Sequence, residues 1–269
     1  MTRIAHISDV HFGRISNKNV VRALVEDVHR QKPDLVAVSG DLTQRAYSWQ
    51  YRAAAEFIRE FEIPVLVVPG NHDVWPMWWP GRRLRRPVSR FETVITGDLA
   101  PLVKLPEAWI LGLNSAHGAT VKGGKIRPRQ IAMLPDAFRG APDVRVLVVH
   151  HPLAPVPHAS KADVARGGIA LLQAAARERV HVVLSGHLHV AQNIRTLQGP
   201  VIVQAGTATS TRGRGPDRDA NTYNIVELDG QSIVVARRDY DGVEYGLVRR
   251  ETLGVSPSLQ KPGIGVGPG

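Results

Sequence analysis

The side chains with the greatest chemical capacity stand in five short groups: Asp9-Val10-His11, Gly40-Asp41, Gly70-Asn71-His72-Asp73, His150-His151-Pro152 and Gly186-His187-Leu188-His189. They offer carboxylate and amide oxygens and imidazole nitrogens. No thiolate accompanies them, because the chain of 269 residues contains no cysteine. This excludes a cysteine nucleophile, thiolate zinc and iron–sulfur sites, and a disulfide framework together. Any metal held by this chain rests on nitrogen and oxygen ligands.

Each group has a reading as metal chemistry beside a plainer one. Asp9 and His11 are two residues apart, and on an extended backbone both side chains point to the same side; the plainer reading is a solvated turn. His6, one strand step earlier and flanked by Ile4 and Ile7, reads as a satisfied core histidine. Asp41 follows an apolar run, and Gly40 permits close backbone approach. Its carboxylate is therefore placed to bridge two cations, or merely to cap the next helix. In the third group Asn71 offers a neutral oxygen ligand, His72 a proton donor, and Asp73 an acceptor that fixes the imidazole tautomer. His187 and His189 repeat the two-residue spacing, which suits one ligand to each of two adjacent metals.

The elements between these groups must bring them together. Residues 4–7, 35–38, 65–68, 146–149 and 182–184 are apolar runs of buried-strand length, and each ends at or just before one of the groups. Between them Val20, Val21, Leu24, Val25 and Val28 recur on one helical face, and 53–61 and 169–176 are rich in helix formers. Alternating strands and helices predict an α/β core, in which ligands collect beyond the carboxyl ends of the strands. From residue 200 the segments 201–204, 223–228 and 232–236 are β-type and punctuated by turn residues. They predict a second sheet packed on the first. The Gly-, Arg- and Thr-rich stretch 207–221 reads as a mobile loop, and 256–269 as a Pro/Gly tail with no core to join. Residues 1–255 are expected to form a single domain.

The groups D-x-H, G-D, G-N-H-D, H-H-P and G-H-x-H, in that order and each at a predicted strand end, resemble the calcineurin-like metallophosphoesterase superfamily over residues 1–210. Within it, their spacing, the H-H-P element and the 111–115 stretch (Leu-Gly-Leu-Asn-Ser) are similar to the bacterial class III cyclic-nucleotide phosphodiesterase branch. The resemblance implies an α/β fold of four layers, an αββα sandwich of two mixed β-sheets flanked by helices. It also implies two divalent ions, typically manganese, iron or zinc, each compatible with nitrogen and oxygen ligands. One ion falls to Asp9, His11, Asp41 and His189, the second to Asp41, Asn71, His150 and His187, with Asp41 as the bridge. Adjacent His150 and His151 leave open which ring coordinates. The family pattern favours His150, so that His151 lines the substrate pocket or packs. Two such ions, about 3.5–4 Å apart, acidify a bridging water for in-line attack on phosphorus. His72 then serves the leaving oxygen, and Asp73 orients His72.

Residues 74–90 form a lid-like insertion after the third group, with Trp75, Met77, Trp78 and Trp79 beside Arg82, Arg83, Arg85 and Arg86. Its aromatics can stack on a base while arginines hold phosphate, with Trp75 and Arg82 as candidate substrate contacts. They can dip into a membrane or grip acyl chains through residues 75–86, or they can fill a helical hairpin's core. The net charge of +10 favours anionic partners without choosing one. A small phosphodiester or nucleotide, cyclic nucleotides above all, is the leading substrate. A nucleotide-activated lipid A precursor cleaved at its pyrophosphate is the alternative. A nuclease is the third reading, although no long basic helix is present and no stable nucleic-acid partner is expected. A non-catalytic metal-binding scaffold is the fourth. A homodimer is compatible with the branch. No secretory signal pattern opens the chain and no run of about 18 apolar residues occurs, which predicts a cytoplasmic protein.

Overall fold

The computed structural model describes residues 1–255, so the expected tail at 256–269 lies outside the described residues. In chain order the first half contains β1 (Thr2–Ile7), α1 (Val20–Gln31), β2 (Leu35–Val38), α2 (Ser48–Arg59) and β3 (Val65–Val67). Two short helices, α3 (Pro80–Arg85) and α4 (Ser89–Val94), then precede β4 (Leu102–Lys104) and β5 (Ala108–Gly112). The second half contains α5 (Pro128–Ala132), α6 (Leu134–Ala137), β6 (Val144–Val148), α7 (Gly168–Arg177) and β7 (Val182–Ser185). It ends with β8 (Gln192–Arg195), β9 (Val201–Gln204), β10 (Thr222–Leu228), β11 (Ser232–Tyr240) and β12 (Tyr245–Gly254).

The strands form two six-stranded mixed sheets, ordered β12-β11-β10-β1-β2-β3 and β4-β5-β6-β7-β9-β8. The run β1-β2-β3 is parallel, as is β5-β6-β7-β9; antiparallel strands complete one edge of the first sheet, where β3 forms the other, and both edges of the second. The segments after residue 200 therefore do not make a separate sheet. β9 pairs with β7, while β10 pairs antiparallel with β1, Ile4 opposite Val226. Strands buried on both faces look alike in sequence, so the choice of partner is made by packing rather than by pattern.

Side-chain alternation sorts the apolar residues into three layers of contact. Ile4, Leu35, Ala37 and Leu66 of the first sheet meet Ile110, Val146, Val182 and Val203 of the second. The opposite face of the first sheet, with Ala5, Ile7, Val36 and Val38, packs on Leu24 and Val28 of α1 and Ala54 and Phe57 of α2. The outer face of the second, with Leu111, Leu147 and Val183, packs on Leu134 of α6 and Leu171 and Leu172 of α7. Three interfaces define four layers, αββα. α1 shows the sequence logic: its valines and Leu24 line one stripe, and it stops where Lys32 enters the left-handed region ahead of Pro33.

The stretch 207–221 was expected to be mobile, yet its first half is built into the protein. Thr207 and Thr209 are fully buried, and their hydroxyls donate to the carbonyls of Asp9 at 2.7 Å and Val10 at 2.8 Å. The Tyr245 hydroxyl donates to the Ala208 carbonyl. Small polar side chains that would solvate a loop elsewhere here satisfy backbone groups beyond the end of β1. Among the described residues, no helix is long and apolar enough to cross a membrane.

Candidate metal centre

The carboxyl ends of β1, β2 and β3 face those of β6 and β7 across the junction of the two sheets, and the five groups meet there. Asp9 and His11 follow β1, Asp41 follows β2, Asn71 and His72 follow β3, His150 follows β6, and His187 and His189 follow β7. The loops after β1 and β2 continue the parallel pairing: the Asp9 amide donates to Gly40 and that of His11 to Asp41, both at 3.0 Å. The two sheets are tied at the centre itself, where the His187 amide donates to Asp9 Oδ2 at 2.9 Å.

The local backbone differs from the extended geometry expected at Asp9 and His11. Asp9, His11, Asp41, His187 and His189 all have positive φ, between 52° and 74°, and make up five of the nine non-glycine residues of that kind among the described residues. Each turns sharply out of its strand in the left-handed region, where Asp and His are tolerated better than most residues. The two-residue spacing brings side chains together through these turns, not through pleating. Gly40, with φ of +101°, has no room for a side chain, since a Cβ there would lie 2.7 Å from His150 Nδ1.

One half of the centre contains Asp9, His11, Asp41 and His189, all buried, with ligand atoms within 4.8 Å of one another. His189 Nδ1–H donates to the Arg212 carbonyl at 2.6 Å, which leaves its Nε2 lone pair facing inward. That atom lies 3.0 Å from Asp9 Oδ1 and 3.2 Å from His11 Nε2. His11 Nε2 is in turn 3.6 Å from both Asp9 Oδ1 and Asp41 Oδ2. Asp9 Oδ1 is buried without a hydrogen-bond partner. Convergent lone pairs with too few protons among them are costly unless a cation lies between them, so this donor set fits a divalent metal.

The other half contains Asn71, His150 and His187. Asn71 Oδ1 lies 3.1 Å from His150 Nε2 and 2.9 Å from His187 Nδ1, and His150 Nε2 is 3.4 Å from Asp41 Oδ1. His150 Nδ1–H donates to the Ser39 carbonyl at 2.8 Å, which directs Nε2 inward. His187 is oriented from behind by Asp163 Oδ1, 3.3 Å from its Nε2. The His187 contact holds the Asp163 carboxyl well below the usual carboxylate range. Burial opposes ionisation of Asp41, yet the His150 and His72 rings hold its carboxyl well below the usual range. Burial likewise opposes charge on His150, but Asp41 and Asp9 push it up to about 9. His151 is fully buried behind this half, its Nδ1 2.8 Å from the Ser115 hydroxyl and its ring 4.7 Å from that of His187. It packs with the cluster, the second of the two places expected for it, and not in the cavity wall, with a ring nitrogen within 4.8 Å of ligand atoms of His150 and His187.

His72 stands beside both halves. Its amide donates to Asp41 Oδ1 at 2.8 Å and its Nδ1–H to the Gln44 carbonyl at 2.7 Å, while burial lowers its basicity. The expected partner Asp73 does not orient this ring. Its carboxylate instead accepts from the amides of Leu42, Thr43 and Gly70 at 3.2, 2.9 and 3.0 Å, fastening the loops after β2 and β3 together. Burial, reinforced by Asp41, raises the Asp73 carboxyl to about 7. Backbone carbonyls have no sequence signature, and the neighbouring aspartate was the partner visible in the sequence.

A cavity of about 280 Å³ opens over this centre, walled by His72, Gln44, Arg45, Met77, Trp78 and Arg212 among others. Residues 74–90 contribute differently from expectation. Trp75 is buried, its Nε1–H donating to Ser89 at 2.8 Å, and it does not reach the cavity. Arg82 lies over the Trp75 and Trp79 rings and faces a separate groove. Of residues 74–90, Val74, Pro76, Met77, Trp78 and Arg83 line the cavity. Asp163 and the Arg212 side chain were missed by sequence reasoning. Asp163 belongs to no motif, and Arg212 sits in the stretch read as a loop.

Residues 2–191 match the calcineurin-like phosphoesterase family, to which this chain belongs. It is 27% identical to a cAMP/cGMP dual specificity phosphodiesterase of Mycobacterium tuberculosis, across 82% of this chain and 75% of that protein. It is 24% identical to a probable glycerophosphodiester phosphodiesterase of Arcobacter nitrofigilis, across 77% and 78%. In fold it is similar to a purple acid phosphatase from yellow lupin seeds, with a TM-score of 0.72 and 13% identity over 96% of this chain. It spans 55% of that longer chain.

Proposed function

We propose that this protein is a phosphodiesterase that uses two metal ions to hydrolyse small diesters, cyclic nucleotides foremost. The observation that carries this reading is the convergence of Asp9 Oδ1, His11 Nε2 and His189 Nε2, 3.0–3.6 Å apart, beside Asp41 and the second histidine cluster. Asp9, His11, Asp41 and His189 would hold one ion, and Asp41, Asn71, His150 and His187 the other. His150 is the ligand of its pair because its Nε2 faces Asp41 and Asn71, whereas His151 is turned to Ser115. Divalent cations there would supply Lewis-acid charge and acidify water for attack at neutral pH.

The protein's own groups do the rest. Arg45 and Arg212 in the cavity wall draw in and hold a phosphate anion. Gln44 fixes the His72 ring through Nδ1, so Nε2 serves the leaving oxygen. In the neutral ring that nitrogen is an acceptor; negative charge arriving with substrate raises its basicity and lets it carry the proton that the departing alkoxide takes. The cavity of about 280 Å³ suits a small diester. The names of the mycobacterial and Arcobacter relatives support diesters as substrates. A diester or pyrophosphate borne on a lipid is the second reading, favoured by Met77 and Trp78 at the cavity wall.

The test compares metal-stripped with manganese-reconstituted protein on an aryl phosphodiester, its monoester, cyclic nucleotides, a glycerophosphodiester and a nucleotide diphospho-lipid. Diester hydrolysis that returns with metal is expected. Monoester preference, or activity indifferent to metal, refutes the reading. His72→Ala is expected to keep its metals and to slow ribose diesters by about a hundredfold; wild-type turnover on these would remove His72 from the mechanism.

A further inference from the structure

Residues 74–90 expose apolar surface in an arrangement that is held in place. Met77 is 59% exposed, Trp78 52%, Trp79 50% and Leu84 66%, all within or beside α3. These side chains are not displayed by a frayed loop. The buried Arg83 guanidinium donates to the carbonyls of Trp75 at 2.6 Å, Gly118 at 3.0 Å and Thr120, riveting α3 to the loop after β5. The Trp75 amide donates to Pro87 at 2.9 Å, and Trp75, Val88 and Phe91 are buried beneath the segment. A soluble surface rarely keeps two half-exposed tryptophans, a methionine and a leucine together without a use for them.

The charge around these residues is of one sign. Arg82, Arg85 and Arg86 line a groove of about 640 Å³ with Trp78 and Trp79, and Arg45 approaches the Trp78 ring at 6.0 Å. Tyr47 extends the aromatic surface, its ring 6.1 Å from that of Trp78. Tryptophans prefer the boundary between head groups and acyl chains, leucine and methionine sink below it, and arginines pair with anionic head groups above it. The same Met77 and Trp78 form part of the wall of the catalytic cavity.

We propose that Met77, Trp78, Trp79 and Leu84, ringed by Arg82, Arg85 and Arg86, form a docking surface for an anionic lipid bilayer that sets the cavity mouth against the head groups. The surface makes a lipid-borne diester or pyrophosphate accessible to the centre without extraction from the membrane. Docking is independent of the phosphodiesterase reading; only its bearing on substrate rests on that reading.

The experiment is flotation of the full chain with vesicles of phosphatidylcholine alone or with roughly one-third phosphatidylglycerol. Binding is expected for the anionic vesicles and to weaken as salt rises from about 0.1 M to about 0.5 M. Tryptophan emission should shift to the blue and be quenched by brominated acyl chains. Arg85→Ala with Arg86→Ala should weaken binding about thirtyfold, and Trp79→Ala with Leu84→Ala should weaken binding and reduce the quenching, leaving only the share of Trp78. Unchanged thermal unfolding of both double variants would show that they fold. No binding to either vesicle overturns the proposal. So does binding that survives both variants, or binding to an oligonucleotide but not to vesicles. Turnover is not read, so failure here leaves the diesterase test standing.

Discussion

The half of the centre formed by Asp9, His11, Asp41 and His189 carries two carboxylates and is closed to solvent, whereas Asn71, His150 and His187 carry none and depend on Asp41 for charge. Asn71 is also partly open to the cavity. The two halves hold their histidines by different means. His189 and His150 are fixed by the backbone carbonyls of Arg212 and Ser39, but His187 by the carboxylate of Asp163. A cation in the first half is attracted by two formal charges at short range, one in the second by a shared charge. The first half should therefore bind its metal more tightly, and the second should decide whether the protein is active at low metal concentration.

The shared residue gives the largest test. Asp41→Ala should empty both halves and lower turnover by about a thousandfold or more, with metal content and rate measured on one preparation. Retention of one firmly held ion would mean that Asp41 belongs to one half alone. Asn71→Ala should separate the halves, keeping one metal equivalent while turnover falls about a hundredfold. Loss of both equivalents would remove the distinction. Asp163→Asn should weaken the second half alone, by about tenfold in metal affinity, visible as a rightward shift in a manganese titration of activity.

The smallest effect on metal is expected from His181, at the start of β7 and away from both halves. Burial, with Arg179 and Arg145 nearby, lowers its imidazole from 6.5 to about 4. Between those values the unfolded chain binds a proton that the folded one refuses, so stability should fall as pH drops from 6.5 towards 4. His181→Asn should remove up to about 3 kcal/mol of that loss in urea unfolding and leave the metal titration unmoved. A shifted titration would mean that the halves are sensitive to the far end of the sheet.

The strands bearing the five groups were legible because an apolar run that stops at Asp, Asn or His is a local signal. The αββα class followed from those groups through family resemblance. Sheet membership was not legible: β10 adds to β1 across more than 200 residues, and no residue in either strand names the other. Partners of the imidazoles were no more legible. The motif neighbour Asp73 was the partner expected for His72 and is not its partner, and the carbonyls of Ser39, Gln44 and Arg212 could not be read, because any residue type supplies a carbonyl. The tryptophans of residues 74–90 look equivalent in sequence, yet Trp75 is 3% exposed and Trp78 52%, a difference created by Ser89 and Arg90 folding back over the first.

Left-handed backbone at Asp9, His11, Asp41, His187 and His189 has a consequence for inheritance. At each of these positions glycine would sit more comfortably than the residue present, by about 1 kcal/mol before the entropy of the unfolded chain is counted. Replacing them would also disperse a crowd of buried lone pairs. Substitutions by glycine that disable the centre therefore relieve backbone strain at these positions, so these residues are kept for the chemistry of the centre rather than for the fold. A lineage released from selection for turnover should lose these residues at little cost to its fold.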